Sequence, residues 1–222
     1  MFIGAAHRTN ESLGALLFCQ HDVILLLASA LSACTVLPDR EPLTFYQLPA
    51  PDLVRHSGEP LPLALRIITP SSSNALQTIR ILVSPDGNTL SSYQGARWAD
   101  PNPNLLREQL VQAFEQDGSF SAVSTETQSL QADVHLMSDL REFQTRYQGE
   151  QASVVIELDA KLIDPSTRAV LAAKRFSIQQ PLEDTAIESV VNHFGTASEQ
   201  LASELLAWSR SALDGFEPLR IQ

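Results

Sequence analysis

Apolar side chains between Leu63 and Thr69 fall at every second position, Leu63, Leu65 and Ile67, which predicts a strand with one apolar face. Ile79, Ile81 and Val83 repeat that period. The polar run Ser84-Pro85-Asp86-Gly87-Asn88-Thr89 then supplies turn chemistry before a partner strand near Leu90 to Tyr93, predicting a hairpin. In the next segment Leu106, Leu110 and Phe114, with Leu105 and Val111 beside them, recur every four residues on one helical face. Asn102 is the expected N-cap, Pro103 the first helical residue, and Gly118 the end.

Three more strands are expected beyond this helix. Val134, Leu136 and Leu140 share one parity while Phe143 and Tyr147 fall on the other, so a long strand with a bulge between Leu140 and Phe143 is predicted. Val154, Ile156, Leu158, Ala160 and Leu162 alternate with Glu157, Asp159 and Lys161, and a turn at 163–170 leads into a return strand from Ala169 to Ile178. The last element, from about Asp184 to Leu213, places Ile187, Val190, Val191, Phe194, Leu201, Leu205, Trp208 and Ala212 on one face of a long amphipathic helix. Gly195 inside it costs about 1 kcal/mol relative to alanine and marks a bend or a close contact. Two helices with one apolar face each need a sheet, so the expected fold is α+β: a two-layer sandwich of a mostly antiparallel sheet with both helices on one side.

The N-terminal pattern is different in kind. The apolar run from Val23 to Ala33 is far shorter than the roughly 20 residues of a membrane-spanning helix and ends in small residues, as a secretory h-region does. Its end, Leu31-Ser32-Ala33-Cys34, resembles the lipobox of bacterial lipoproteins, which implies cleavage before Cys34 and acylation of its thiol. One feature of the leader departs from that pattern: Arg8 is its single strong positive charge, set against Glu11, and Asp22 abuts the apolar run. Thr35 follows Cys34 where an aspartate would hold an enterobacterial lipoprotein in the inner membrane, so the expected destination is the outer membrane, facing the periplasm. The segments are therefore a signal peptide at 1–33, a lipidated cysteine, proline-rich tether and short strand at 34–60, the domain at 61–215 and a tail at 216–222.

Charge and cysteine content narrow the partners. The leader takes one of the 15 basic and two of the 26 acidic residues, leaving 14 against 24 and a formal charge of −10 on residues 34–222. A surface of that sign does not seek nucleic acid or anionic lipid unaided, so an anchor must hold it to a membrane. The other cysteine, Cys19, leaves with the leader, and the domain is stabilised by its core without an internal disulfide.

Catalytic patterns are absent from the sequence. His56, His135 and His193 are dispersed without metal-ligand spacing, and no glycine-rich phosphate loop or nucleophile elbow occurs. His135, on one strand face with Asp133 and Asp139, is the best candidate base, and solvated strand surface is the simpler reading. No enzyme, metal or cofactor is expected.

One stretch stands apart, Ser91-Ser92-Tyr93-Gln94-Gly95-Ala96-Arg97-Trp98-Ala99-Asp100-Pro101, expected between a strand and a helix. With the lipobox, the Phe45-Tyr46-Gln47-Leu48-Pro49 strand and the closing helix, it resembles the ABC-type transport auxiliary lipoprotein family, which includes the paraquat-inducible lipoprotein C. The resemblance implies a non-catalytic periplasmic accessory subunit of an MCE (mammalian cell entry) lipid transport system, partnered by an MCE-domain tunnel subunit and, indirectly, an ABC permease and ATPase. Homo-oligomerisation stays open. Within the motif, Tyr93, Arg97 and Trp98 are the candidate residues. Trp98 is expected to plug the junction, and Arg97 to stack on Trp98 or pair with a carboxylate, unless the three dock a partner. A lipoprotein that assembles or docks outer-membrane machinery, unrelated to ABC transport, is the alternative.

Overall fold

The computed structural model describes residues 42–218, so Cys34, Thr35 and the leader lie outside the described residues. In chain order the elements are β1 (Thr44–Tyr46), β2 (Leu61–Ile67), β3 (Ser71–Ser72), β4 (Arg80–Ser84), β5 (Ser91–Trp98), α1 (Asn102–Asp117), β6 (Phe120–Thr125), β7 (Val134–Gln148), β8 (Gln151–Ile163), β9 (Val170–Pro181) and α2 (Ile187–Ala212).

β7 is the hub of a nine-stranded sheet. One of its edges carries β8 from His135 to Gln148, antiparallel, and β8 carries β9 in the same sense. A strand has two edges, so its other edge must hold the remaining partners in succession: β2 at Val134 to Leu136, β3 at Asp139 and Leu140, and β4 at Thr145 and Arg146. All three are parallel to β7, as are β6 to β2 and β1 to β5, while β4 and β5 form the predicted antiparallel hairpin. The α+β class holds, but the sheet is mixed and not mostly antiparallel. The reason is that α1 and the long connections return the chain to the same end of the sheet, a crossover that no local pattern records.

The bulge predicted in the long strand is present, as a register shift between Leu140 and Glu142 that moves the apolar parity from Leu140 to Phe143. β6 was not expected. Its buried positions include Ser124 and Thr125, so it shows no apolar period, and its pairing with β2 is parallel and long-range. Pro101, not Asn102, occupies the cap of α1; Asn102 is the first helical residue, fully buried, and its Nδ2 donates to the Leu76 carbonyl at 3.0 Å. Gly118 closes α1 in the left-handed region at φ 71°, its N–H donating to the Phe114 carbonyl.

Both helices and the sheet share one core cluster, in which Leu65, Leu106, Phe114, Phe143, Ile156, Phe194 and Leu205 have no exposed surface. At about 1.5–3 kcal/mol for each large side chain taken from water, this cluster is the main source of stability in a domain without disulfides.

Candidate functional site

Most of the conspicuous motif, Ser91–Trp98, is β5 itself, and Ala99, Asp100 and Pro101 form the connection to α1. Between Arg80↔Arg97 and Leu82↔Ser92 the register shifts, so β5 carries extra residues against β4. Gly95 sits within this bulge at φ 65°, a left-handed conformation that glycine adopts without a Cβ clash. Arg97 closes the irregularity, its Nη1 donating to the carbonyls of Ala96 at 2.6 Å and Tyr93 at 3.1 Å. Arg97 therefore neither stacks on Trp98 nor pairs with a described carboxylate, as had been expected; the bulge exposes carbonyls within its reach.

Trp98 ends β5 and is fully buried. Its ring meets Phe194 of α2 edge-on at 5.3 Å and Phe143 of β7 at 6.2 Å. Its backbone N–H donates to the Ile79 carbonyl at 2.7 Å, and the Ala99 N–H to the Tyr46 carbonyl at 2.8 Å, so the segment ties β1, the approach to β4 and the start of α1 together. The side chain thus plugs a corner of sheet and helix, with its Nε1 unpartnered. Tyr93 is half-buried, and its hydroxyl lies toward those of Thr145 and Tyr147 without a well-formed hydrogen bond to either. Burial pushes the Tyr93 phenol above its ordinary value.

The proline-rich segment before β2 lies along both helices. The Tyr46 hydroxyl donates to Glu188 at 3.2 Å, Gln109 Nε2 to Pro49 O at 3.0 Å, Asp52 N–H to Glu199 at 2.9 Å and Leu53 N–H to Gln116 at 3.3 Å. The partners advance along α1 and α2 in step with the strap, so both helices run in its direction. Close approach is possible at Gly195, where a Cβ would lie 2.7 Å from Pro49 Cγ. Of the two readings of Gly195, the close contact is realised.

His135 lines a cleft of about 790 Å³ together with Arg66, Asp133 and Asp164. Burial and the neighbouring Arg66 hold its imidazole below the ordinary value. Both carboxylates are committed to backbone: Asp133 accepts from Ala64 N–H at 2.8 Å, and Asp164 from the N–H and hydroxyl of Ser166 and the hydroxyl of Thr167, which hold it at about 2. Asp139 instead bonds the Ser71 hydroxyl and faces Lys161 and Arg141. The three residues considered as a base and its orienters are therefore not brought into one hydrogen-bonded arrangement. His193 bonds the Ser189 carbonyl on α2, and His56 lines a separate cleft with Asp117 and Arg210. Among the described residues no group of three or more His, Cys, Asp or Glu could hold a metal, and no helix is long and apolar enough to cross a membrane.

The described residues thus form a mixed sheet with two helices and a strap docked along both. Residues 46–205 match the family described as the ABC-type transport auxiliary lipoprotein component, and the chain belongs to that family. A crystal structure of a Xanthomonas campestris protein placed in the DUF330 family is 29% identical, covers 78% of this chain and 97% of its own, and superposes with a TM-score of 0.72. A second crystal structure, of an uncharacterized protein, is 18% identical, covers 76% and 99%, and gives 0.60, a likeness of fold. An uncharacterized protein of Bradyrhizobium diazoefficiens is 29% identical over 164 residues, 74% of this chain; the chain spans 44% of that relative's length.

Two contributors escaped the sequence. Arg80, directly opposite Arg97, carried no signal because a lone arginine before an apolar run reads as solvated surface. The Pro49–Gly195 contact was half-signalled by a glycine within a helix, but its partner lies far away in sequence.

Proposed function

We propose that this chain is a non-catalytic, lipid-anchored accessory subunit of an ABC and MCE-type system that moves phospholipids or related apolar molecules across the cell envelope. Cys34 carries the anchor, Thr35 directs the protein to the outer membrane, and the domain faces the periplasm, its two helices layered on one face of the sheet. The observation that carries the reading is the family match over residues 46–205, which begins in β1, twelve residues after the lipobox cysteine. The docked strap supports it, because hydrogen bonds to Glu188, Glu199 and Gln109 couple the leash to both helices. So does the engagement of Asp133 and Asp164 by backbone and hydroxyl donors, which suits scaffolding better than proton transfer.

The test is purification of the tagged full-length lipoprotein from native membranes after crosslinking, with mass spectrometry of what accompanies it. Recovery of an MCE-domain subunit, a permease and an ATPase is expected. Recovery of outer-membrane assembly proteins in their place would overturn the reading.

A further inference from the structure

Three side chains stand in one row across the edge of the sheet. Phe45 of β1 lies opposite Arg97 of β5, and Arg97 lies opposite Arg80 of β4. Directly opposed residues share a face, so the row brings together one aromatic ring, the Arg80 guanidinium and that of Arg97, whose Nη1 is held by the Ala96 and Tyr93 carbonyls while its other N–H groups remain to receive an anion. β1 is a sheet edge with β5 as its strand partner, Phe45 is 58% exposed, and Leu43, two residues earlier, is 53% exposed. Ile79, beside Arg80, and Leu90, which lines the same shallow cleft as Arg80, are exposed as well.

Like charges directly opposite one another destabilise a sheet unless something neutralises them. Among the described residues, neither Arg80 nor Arg97 forms an ion pair, although acidic residues outnumber basic ones by ten after the leader. Asp86, in the turn joining β4 and β5, is committed to Asn88 and Thr89. The row is thus a cationic and apolar spot on an acidic body, waiting for an anionic and apolar partner.

We infer that the Phe45–Arg97–Arg80 row seats the domain on an anionic phospholipid surface, the arginines on lipid phosphates and Phe45 with Leu43 in the interface. The inference rests on Cys34 being acylated. Nine residues lie between Cys34 and Thr44, and that stretch spans at most about 36 Å, so β1 is tethered within that distance of the acylated cysteine. The leash raises the local concentration of this face at the surface, where a weak contact suffices. Electrostatics then selects the orientation, because the acidic remainder is repelled by anionic headgroups while each arginine near them is attracted. The acyl chains hold the protein; the row orients it.

The experiment uses the full-length lipoprotein, reconstituted into phosphatidylcholine vesicles with and without phosphatidylglycerol and separated by flotation. A dye is placed at Phe45→Cys or, as control, at Val170→Cys in exposed β9, and nitroxide-labelled lipid is the quencher. Stronger quenching at 45 than at 170 in anionic vesicles is expected. Arg80→Glu, which changes two charges on an exposed side chain with no bulge contact, is expected to lower the seated population on the order of tenfold, and Arg80→Lys to preserve it. Flotation with equal quenching at both positions overturns the seating alone. Crosslinks from position 45 to a second copy or another protein, without lipid quenching, also overturn it. Failure to float overturns the acylation of Cys34 and the seating with it.

Discussion

Pro49 packs its ring onto the backbone of Gly195, so closely that a Cβ there would sit 2.7 Å from Pro49 Cγ and 2.8 Å from Cδ. The proline ring has no flexible end that could swing away. Gly195→Ala sets about 1 kcal/mol of gained helix propensity against about 1–3 kcal/mol of overpacking. A net loss of about 1–2 kcal/mol is expected in urea unfolding, with faster proteolysis between residues 42 and 60. A variant more stable than the parent would show that the strap is not seated on α2 in solution.

Trp98 fills the corner between Phe143 and Phe194. Trp98→Ala is expected to cost on the order of 3–5 kcal/mol, a large part of a domain's stability. Trp98→Phe is expected to cost clearly less, since the indole Nε1 makes no hydrogen bond that would be lost. An alanine variant that melts like the parent yet loses a binding partner would make Trp98 an interface residue.

The Tyr93 hydroxyl is buried beside the Thr145 and Tyr147 hydroxyls without a well-formed bond to either, so Tyr93→Phe removes a polar group that is desolvated and weakly compensated. Stability unchanged or raised by up to about 1 kcal/mol is expected. A loss of more than about 1 kcal/mol in thermal or urea unfolding would mean that the hydroxyl is hydrogen-bonded in solution.

These side chains show where sequence patterns carry information. β8 was legible because Val154, Ile156 and Leu158 face the core while Glu157 and Asp159 are only partly covered, so composition records the two sides. The bulge in β7 was legible from the parity change between Leu140 and Phe143. β5 was cut short at Tyr93 because Gly95 breaks its period, although the strand continues to Trp98. The parallel pairings of β7 with β2 and β4 were not legible, since they depend on partners far apart in sequence. Within the motif, burial of Trp98 followed from its size, whereas the Arg97 contacts followed from a bulge that the sequence did not announce.

Arg175 and Arg141 together hold the Asp159 carboxyl at about 2, Arg175 contributing most. The folded value lies below the unfolded one, so this contribution is fully present above about pH 4 and is lost as pH falls toward 2. Melting temperature measured from pH 5 down to pH 2 is expected to fall less steeply in Asp159→Asn than in the parent. Parallel slopes would mean that the network at Asp159 does not contribute to acid lability.

The proposed service of a lipid-anchored subunit in lipid movement across the envelope is open to measurement in cells lacking the protein. Redistribution of isotopically labelled lipids between the two membranes would be followed by mass spectrometry of all extractable species, with complementation by the parent or by Cys34→Ser. Slowed redistribution of at least one lipid class is expected, restored by the parent and not by Cys34→Ser, whose chain takes up no labelled fatty acid. Unchanged redistribution of every class in the deleted strain, or full rescue by the unacylated variant, would contradict it.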